Sequence, residues 1–248
     1  MSKPNNLNNK VLNKPKAVIF DTDNTLYPYD PAHKKATQAV EIKVEKLLGI
    51  RKEIFRSAFE ASRKEIKARL GSVASSHSRL LYMQKTIEKL ELGTRILTTL
   101  DLEQTYWRTF LSNSKLFPGV IDFIHILKSE NIVTANITDL TAQIQFRKLV
   151  YFGLDELFDF VVTSEEAGKD KPDKKPFEVA LEKLQIEPND IWMIGDNPYS
   201  DMLGAGEMGM IKIQKIHDGV KVIKTGKAKP DFIFRNYDEL NPFFLGSS

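Results

Sequence analysis

The sequence predicts an α/β fold, a doubly wound parallel sheet carrying an all-helical insertion. Three observations point to it. Short runs rich in β-branched and aromatic residues, AVIFD (17–21), NIVTANIT (131–138), DFVVT (159–163) and IWMIG (191–195), have the texture of strands buried on both faces. Helical patterns alternate with the later runs, and strand, helix, strand with tight connections is how parallel pairing reads in sequence. Between the first run and Phe117, however, about eighty-five residues show helical periodicity alone. A parallel crossover needs only about a dozen.

Each segment follows from its residues. The first sixteen, MSKPNNLNNKVLNKPK, are polar and contain no apolar stretch of the kind a secretory signal carries, so 1–16 is expected to be a disordered polar tail. A strand over 17–21 then leads through LYPYDP to a hinge near Tyr29. Residues 31–116 form the predicted helical domain. Its segments AVEIKVEKLL, KEIFRSAFEASRKEIKARL, RLLYMQKTIEKL and LDLEQTYWRTFL each place apolar residues three and four apart. A second hinge falls at Phe117-Pro118-Gly119. The core resumes with helical patterns VIDFIHILKSE, TAQIQFRKLVYF, PFEVALEKL and SDMLGAGEM between the strands, and weaker strands IKIQKI and DFIF follow. The expected core is therefore Rossmann-like and discontinuous, 17–30 with 117–240, and 241–248 reads as a C-terminal tail.

Composition narrows the function. The chain has 248 residues, 42% hydrophobic and 28% charged, an ordinary globular balance. No run approaches the roughly eighteen apolar residues of a membrane span. With no cysteine there is no disulfide, thiolate metal site or Cys nucleophile; with no signal, a cytoplasmic location is expected. The net charge of +3 is unevenly spread. Residues 31–110 hold 16 Lys and Arg against 9 Asp and Glu, and the remainder 20 against 24. Either the helices have solvated Lys/Glu faces, or a basic lobe draws an anionic substrate toward an acidic one. No basic run is interleaved with stacking aromatics, so no nucleic-acid partner is expected. Oligomeric state is not legible.

Four positions fall at the C-terminal ends of predicted strands, the edge of an open parallel sheet where ligands bind. They are Asp21 and Asp23, Thr138, Lys171, and Asp196 with Asp201. Carboxylates gathered at one edge repel unless a cation sits among them, and hard oxygen ligands suit Mg²⁺. An ionised Asp can attack phosphorus, and a second carboxylate can protonate the leaving alkoxide and then deprotonate water. A Lys, a Thr hydroxyl and backbone N–H groups at a helix start can hold phosphoryl oxygens. The inventory fits phosphoryl transfer through aspartate.

The stretches DTDNTLY (21–27), NITDLTAQIQ with Thr138, SEEAGKDKPDKKPF with Lys171-Pro172, and GDNPYSDMLGAGEMG with Asp196 and Asp201 resemble, in order, the four motifs of the haloacid dehalogenase-like hydrolase superfamily. The resemblance implies that Asp21 is the nucleophile and a Mg²⁺ ligand. It implies that Asp23 is the general acid/base, its backbone carbonyl also on the metal. Thr138 and the backbone at Asp139 would hold the phosphoryl group, Lys171 would pair with Asp21 and the phosphoryl oxygens, and Asp196 would ligate Mg²⁺ with Asp201 nearby. The insertion resembles the family's cap. Dehalogenases of the superfamily lack the second aspartate, so Asp23 points to a phosphatase or phosphomutase. The expected substrate is a small phosphosugar, with nucleoside 5'-monophosphates second and a non-catalytic binding module the alternative of another class.

One departure stands out: where relatives carry Asn-Gly after the motif Thr, this chain has Asp139-Leu140. Asp139 is expected to turn away and cap the helix that starts at Thr141. GAGEMG (204–209) matches a dinucleotide fingerprint formally but does not follow a strand directly, so close helix packing and a Gly C-cap are expected. The four histidines show no metal-like spacing. The loop GSVASSHSRLLY also resembles cap segments of relatives that dephosphorylate sugar phosphates such as acylneuraminate 9-phosphates. That likeness implies Ser76, His77 and Arg79 as substrate contacts, whereas Tyr82, Tyr106, Trp107 and Phe110 are expected in the bundle core.

Overall fold

The computed structural model describes residues 12–245. They divide into two compact units, one comprising the described chain up to Tyr27 and from Leu116 onward, the other Pro28–Lys115.

The first unit is built on six parallel strands, β1 (Ala17–Phe20), β2 (Val133–Thr138), β3 (Phe160–Thr163), β4 (Ile191–Gly195), β5 (Ile211–Lys215) and β6 (Phe232–Phe234). Their order is β3-β2-β1-β4-β5-β6, the Rossmann order, which reverses direction between β1 and β4. Phe20 pairs with Asn136 on one side and Ile194 on the other. The three central strands therefore end level, and the residues that follow emerge together at one edge.

Alternation along β1 divides its side chains between two apolar layers. Ala17 and Ile19 join Ala135, Ile137, Met193 and Phe177 on one side. Phe20 meets Phe123 and Phe158 edge-on, with ring centroids 6.2 and 5.7 Å away. Both faces are covered, which is why β1 and β4 read as unbroken apolar runs. Fully buried rings such as Phe20, Phe177 and Trp192 contribute about 2–3 kcal/mol each by leaving water.

The second unit contains α1 (Tyr29–Leu48), α2 (Lys52–Leu70), α3 (Arg79–Lys89) and α4 (Ile96–Ser112), with a short 3₁₀ turn at Ala74–His77. The first unit adds α5 (Val120–Ser129), α6 (Ala142–Tyr151), α7 (Ser164–Ala167), α8 (Lys174–Leu184) and α9 (Leu203–Met208). Helix α1 starts ten residues before the periodic segment AVEIKVEKLL, because Pro28 and Pro31 sit at and just inside its start, where no N–H partner is lost. Gly49, in the left-handed conformation at φ 67°, ends it. Tyr82, Tyr106, Trp107 and Phe110 are buried within this unit, as their spacing predicts.

Parts of both expected tails are bonded to or packed on the core. Residues 1–11 and 246–248 lie outside the described chain. Leu12 is buried, and Lys16 donates its N–H to Asp190 O and accepts from Val133 N, so 12–16 is bonded to the core. At the other end Phe243 and Phe244 pack on Trp192, each with centroids 5.4 Å apart. An aromatic pair of that size holds residues 241–245 against the sheet.

His33, in α1, stacks on Tyr29 and shares a 2.7 Å hydrogen bond through Nδ1 with the Tyr106 hydroxyl. Burial lowers its pKa to about 4, helped by the charges of Arg79 and Arg63 and opposed by Asp30. The unfolded chain therefore binds the proton near pH 6.5 while the folded chain refuses it until about 4. Stability present above pH 6.5 is lost as the pH falls through that window. Thermal melts of the full chain between pH 7 and 4 are expected to show a steeper loss for the wild type than for His33→Gln. Equal slopes refute the assignment.

Candidate active site

At the edge where β1, β2 and β4 end, the local chain geometry delivers a compact set of charges. Asp21 leaves β1 with its N–H bonded to Ile194 O at 2.9 Å, so the neighbouring strand fixes where its side chain begins. Thr25, four residues on, donates to Asp21 Oδ2 at 2.9 Å. The Lys171 ammonium lies between two carboxylates, 2.6 Å from Asp21 Oδ1 and 2.6 Å from Asp201 Oδ1, and donates to Ile137 O at 3.1 Å. Asp201 sits in a wide helical turn, Pro198–Met202, opened by Pro198 and capped by Asn197. Asn197 N–H donates to Asp201 Oδ2 at 3.0 Å. Gly195 makes this approach possible: a Cβ there would lie 2.5 Å from Asp201 Cβ, Cγ and Oδ2.

Among the described residues, Asp21, Asp196 and Asp201 offer ligand oxygens that all lie within 4.8 Å of one another. Burial pushes Asp21 up to about 6, against the pull of Lys171 and with Asp201 adding to the rise. Burial also pushes Asp196 up to about 9, with Asp201 and Asp21 next in effect. Burial alone favours a neutral Lys171, yet Asp201, Asp21 and Asp139 hold it charged and raise it above its ordinary range. Three carboxylates against one buried ammonium leave an excess of negative charge, and their hard oxygen donors fit a divalent cation.

The Asp23 carboxylate stands apart from that trio. Lys148 Nζ lies 2.7 Å from its Oδ1, and the Tyr27 hydroxyl donates to the same oxygen. Thr138 is buried at the end of β2, directly before Asp139. Asp139 does not cap α6, contrary to expectation: its Oδ1 accepts from Lys171 N–H at 3.0 Å and from Ser164 Oγ at 3.1 Å. Glu165 serves the helix start instead, accepting from Ala142 N–H at 2.9 Å. The carboxylate is drawn away from α6 because the Lys171 loop presents an N–H and a nearby cation, a stronger pull than a helix start alone. Asp139 thereby positions the segment that carries Lys171.

Several contributors escaped sequence reasoning. Gln214 bonds Asp196 O at 2.9 Å, and His217 Nε2 lies 4.0 Å from Asp196 Oδ2. Asn136, fully buried in β2, joins Thr22 Oγ1 at 3.1 Å and Phe20 O at 2.9 Å, bracing the β1 exit. Lys148 left a signal that went unread: it lies four residues after Ile144, on the buried face of α6. GAGEMG is a packing element, as expected. A Cβ at Gly204 would strike Phe177 at 2.2 Å and one at Gly206 would strike Lys227 O at 2.2 Å, while Gly209 caps α9.

In the helical unit the structure places the three loop candidates unevenly. Ser76 is buried and its carbonyl accepts from the Tyr82 hydroxyl, an internal role. His77 O accepts from Arg79 at 2.6 Å, and Arg79 also donates to the Tyr29 hydroxyl. The guanidinium lies 5.4–5.6 Å from the ring centroids of Tyr82, Tyr106 and Trp107. The loop is thus tied back onto its own bundle.

Comparison with known proteins bears on this arrangement. A family profile described as haloacid dehalogenase-like hydrolase matches residues 15–209. The chain is 34% identical to a ribulose-1,5-bisphosphate 5-phosphatase of Halopiger xanaduensis over 195 residues, 78% of this chain and 82% of that protein. It is 32% identical to a glyceraldehyde 3-phosphate phosphatase of Methanothermobacter thermautotrophicus over 199 residues, 80% of this chain and 84% of that one. Among solved structures, a HAD phosphatase from Thermococcus onnurineus superposes with a TM-score of 0.69 at 26% identity, covering 91% of this chain and 95% of the other. Among the described residues, no helix is long and apolar enough to cross a membrane.

Proposed function

The chain belongs to the haloacid dehalogenase-like hydrolase family and hydrolyses phosphoric monoesters, and from that premise we propose that its substrate is a small phosphosugar cleaved through an aspartyl-phosphate on Asp21. The observation that carries this reading is the Lys171 ammonium, 2.6 Å from both Asp21 and Asp201 beside the Asp196 carboxylate. An ammonium there neutralises Asp21 in the resting enzyme and phosphoryl oxygens once substrate arrives.

In the first step an Asp21 oxygen bonds to phosphorus as the ester P–O bond breaks, and Asp23 gives its proton to the leaving alkoxide. In the second, water attacks the phosphorus, Asp23 takes the proton back, and the Asp21–phosphorus bond breaks to release phosphate. Thr138 and the backbone at Asp139 hold the phosphoryl oxygens. A Mg²⁺ ion held by Asp21, Asp196 and the Asp23 carbonyl, with Asp201 behind them, would supply further neutralisation of that charge when bound. In this reading Pro28–Lys115 acts as a cap that selects the substrate and excludes water, with His77 as its contributor to recognition and Arg79 holding the loop in place.

The named substrates of the two relatives are a sugar bisphosphate and a triose phosphate, which is why phosphosugars come first. The test is phosphate release from ribulose 1,5-bisphosphate, glyceraldehyde 3-phosphate and nucleoside 5'-monophosphates, with Mg²⁺ and with chelator. A kcat/KM at least about tenfold higher on a sugar phosphate than on any nucleotide, lost with chelator, is expected. Preference for a nucleotide overturns the substrate assignment, and turnover indifferent to chelation overturns the metal assignment.

A further inference from the structure

Lys148 has no place in the chemistry described above, yet its side chain is only 1% exposed while that of Asp23 is 36% exposed. The lysine lies on the inward face of α6 with Ile144 and Leu149. An aliphatic residue would fill that face without the cost of desolvating an ammonium. Its charge instead meets Asp23 Oδ1 at 2.7 Å, with its Nζ 5.8 Å from the Tyr27 ring centroid. Tyr27 is itself fully buried, packs on Phe152 at 4.8 Å, and directs its hydroxyl to the same Asp23 oxygen. The turn carrying Asp23 is closed by Asn24 N–H to Tyr27 O at 2.8 Å.

We propose that Lys148, together with Tyr27, is a positioning residue that clamps Oδ1 of Asp23 and so sets the direction in which this carboxyl group delivers and collects its proton. An oxygen that already accepts from an ammonium and a phenol is the poorer place for a proton, so the transfer falls to Oδ2. A partly exposed carboxyl group on a turn samples several rotamers, and a buried two-donor clamp removes that freedom before substrate binds. The inference rests on Asp23 being the general acid/base, and it adds the element of the fold that aims it: the helix after β2, reaching back to the turn after β1.

The discriminating experiment uses the leaving group. Glycerol 2-phosphate leaves as an alkoxide that needs a proton, whereas p-nitrophenyl phosphate leaves as a stable phenolate that does not. In kcat/KM, which reports steps through formation of the aspartyl-phosphate, Lys148→Met is expected to lose about 10–100-fold on glycerol 2-phosphate and less than about threefold on p-nitrophenyl phosphate. Lys148→Arg, which keeps a donor and a charge, is expected to recover most of the difference. Equal losses on both substrates, or no loss on either, overturn the proposal. Should Lys148→Met fail to fold, Tyr27→Phe is judged by the same criterion, with a smaller selective loss expected. Asp23→Asn run in parallel separates the two claims. If it discriminates between the substrates and Lys148→Met does not, the positioning role alone fails; if Asp23→Asn itself does not discriminate, the acid/base reading fails and the positioning role with it.

Discussion

Asp21→Asn is expected to lower kcat on any phosphomonoester by at least about ten-thousandfold, leaving the protein as stable as the wild type or more so. The loss follows from removing the atom that bonds to phosphorus, a role no neighbouring group takes over. The stability follows from the crowding. Asp21 is held at about 6 because burial and the Asp201 charge oppose its ionisation, even with Lys171 at 2.6 Å. An amide in its place keeps the shape, accepts from Lys171 through its one oxygen, turns its NH2 to donate to the Thr25 hydroxyl oxygen, and removes one of three mutually repelling carboxylates. Steady-state phosphate release and a thermal melt on the same preparation check both halves. Residual turnover within about a hundredfold of wild type would remove Asp21 from the role of nucleophile.

Lys171→Met has the opposite signature, damaging the fold along with the activity. The ammonium is 1% exposed and lies 2.6 Å from each of two carboxylates, one of them also 1% exposed. Without it Asp21, Asp196 and Asp201 face one another with no cation between them. Breaking a buried ion pair from one side costs about 3–5 kcal/mol, and the shortened side chain also abandons Ile137 O. A divalent cation binding the folded state restores stability as its concentration rises above its dissociation constant. Urea or thermal unfolding is therefore expected to show a large loss in chelator and a partial recovery in Mg²⁺, beyond any gain the wild type shows. An unfolding midpoint unmoved by the substitution would mean that the ion pairs contribute nothing to stability.

Asp21 and Asp196 were legible in the sequence, and the reason is physical. A parallel sheet buried on both faces writes itself as apolar runs, so the residues that break those runs stand out. Asp21 ends AVIF and Asp196 follows IWMIG, and a charge at the end of such a run has to be explained by what lies at the sheet edge. The helical character of 31–116 was legible for a similar reason, since amphipathic spacing persists over many turns.

Asp139, Lys148 and the chain ends were read less well. At Asp139 the helix start lies next door in sequence, so local chemistry favours a cap. Its actual partners, Lys171 N–H and Ser164, are brought by another strand and loop. Beyond its spacing from Ile144, Lys148 carries no mark in the sequence that separates it from other cations on amphipathic helices, because polar and buried are ordinarily exclusive and only a distant carboxylate makes them compatible. The segment at 12–16 looked loose because it is polar, and 241–245 because it follows the last strand pattern, while Leu12 and the Phe243–Phe244 pair find cover on the sheet.

The sequence by itself determined the α/β sheet, the place where the helical segment interrupts it, and the residue types that the strand ends carry, because periodicity and burial are properties of neighbours along the chain. Tertiary structure alone decided which of those groups meet. It set Lys171 between Asp21 and Asp201, turned Asp139 from a helix cap into a brace for the lysine loop, and placed Lys148 on Asp23. Each of those pairings joins residues 30 or more apart. The sign and reach of a charge are written in its residue type, but its partner is fixed only when the strand order brings both to one edge.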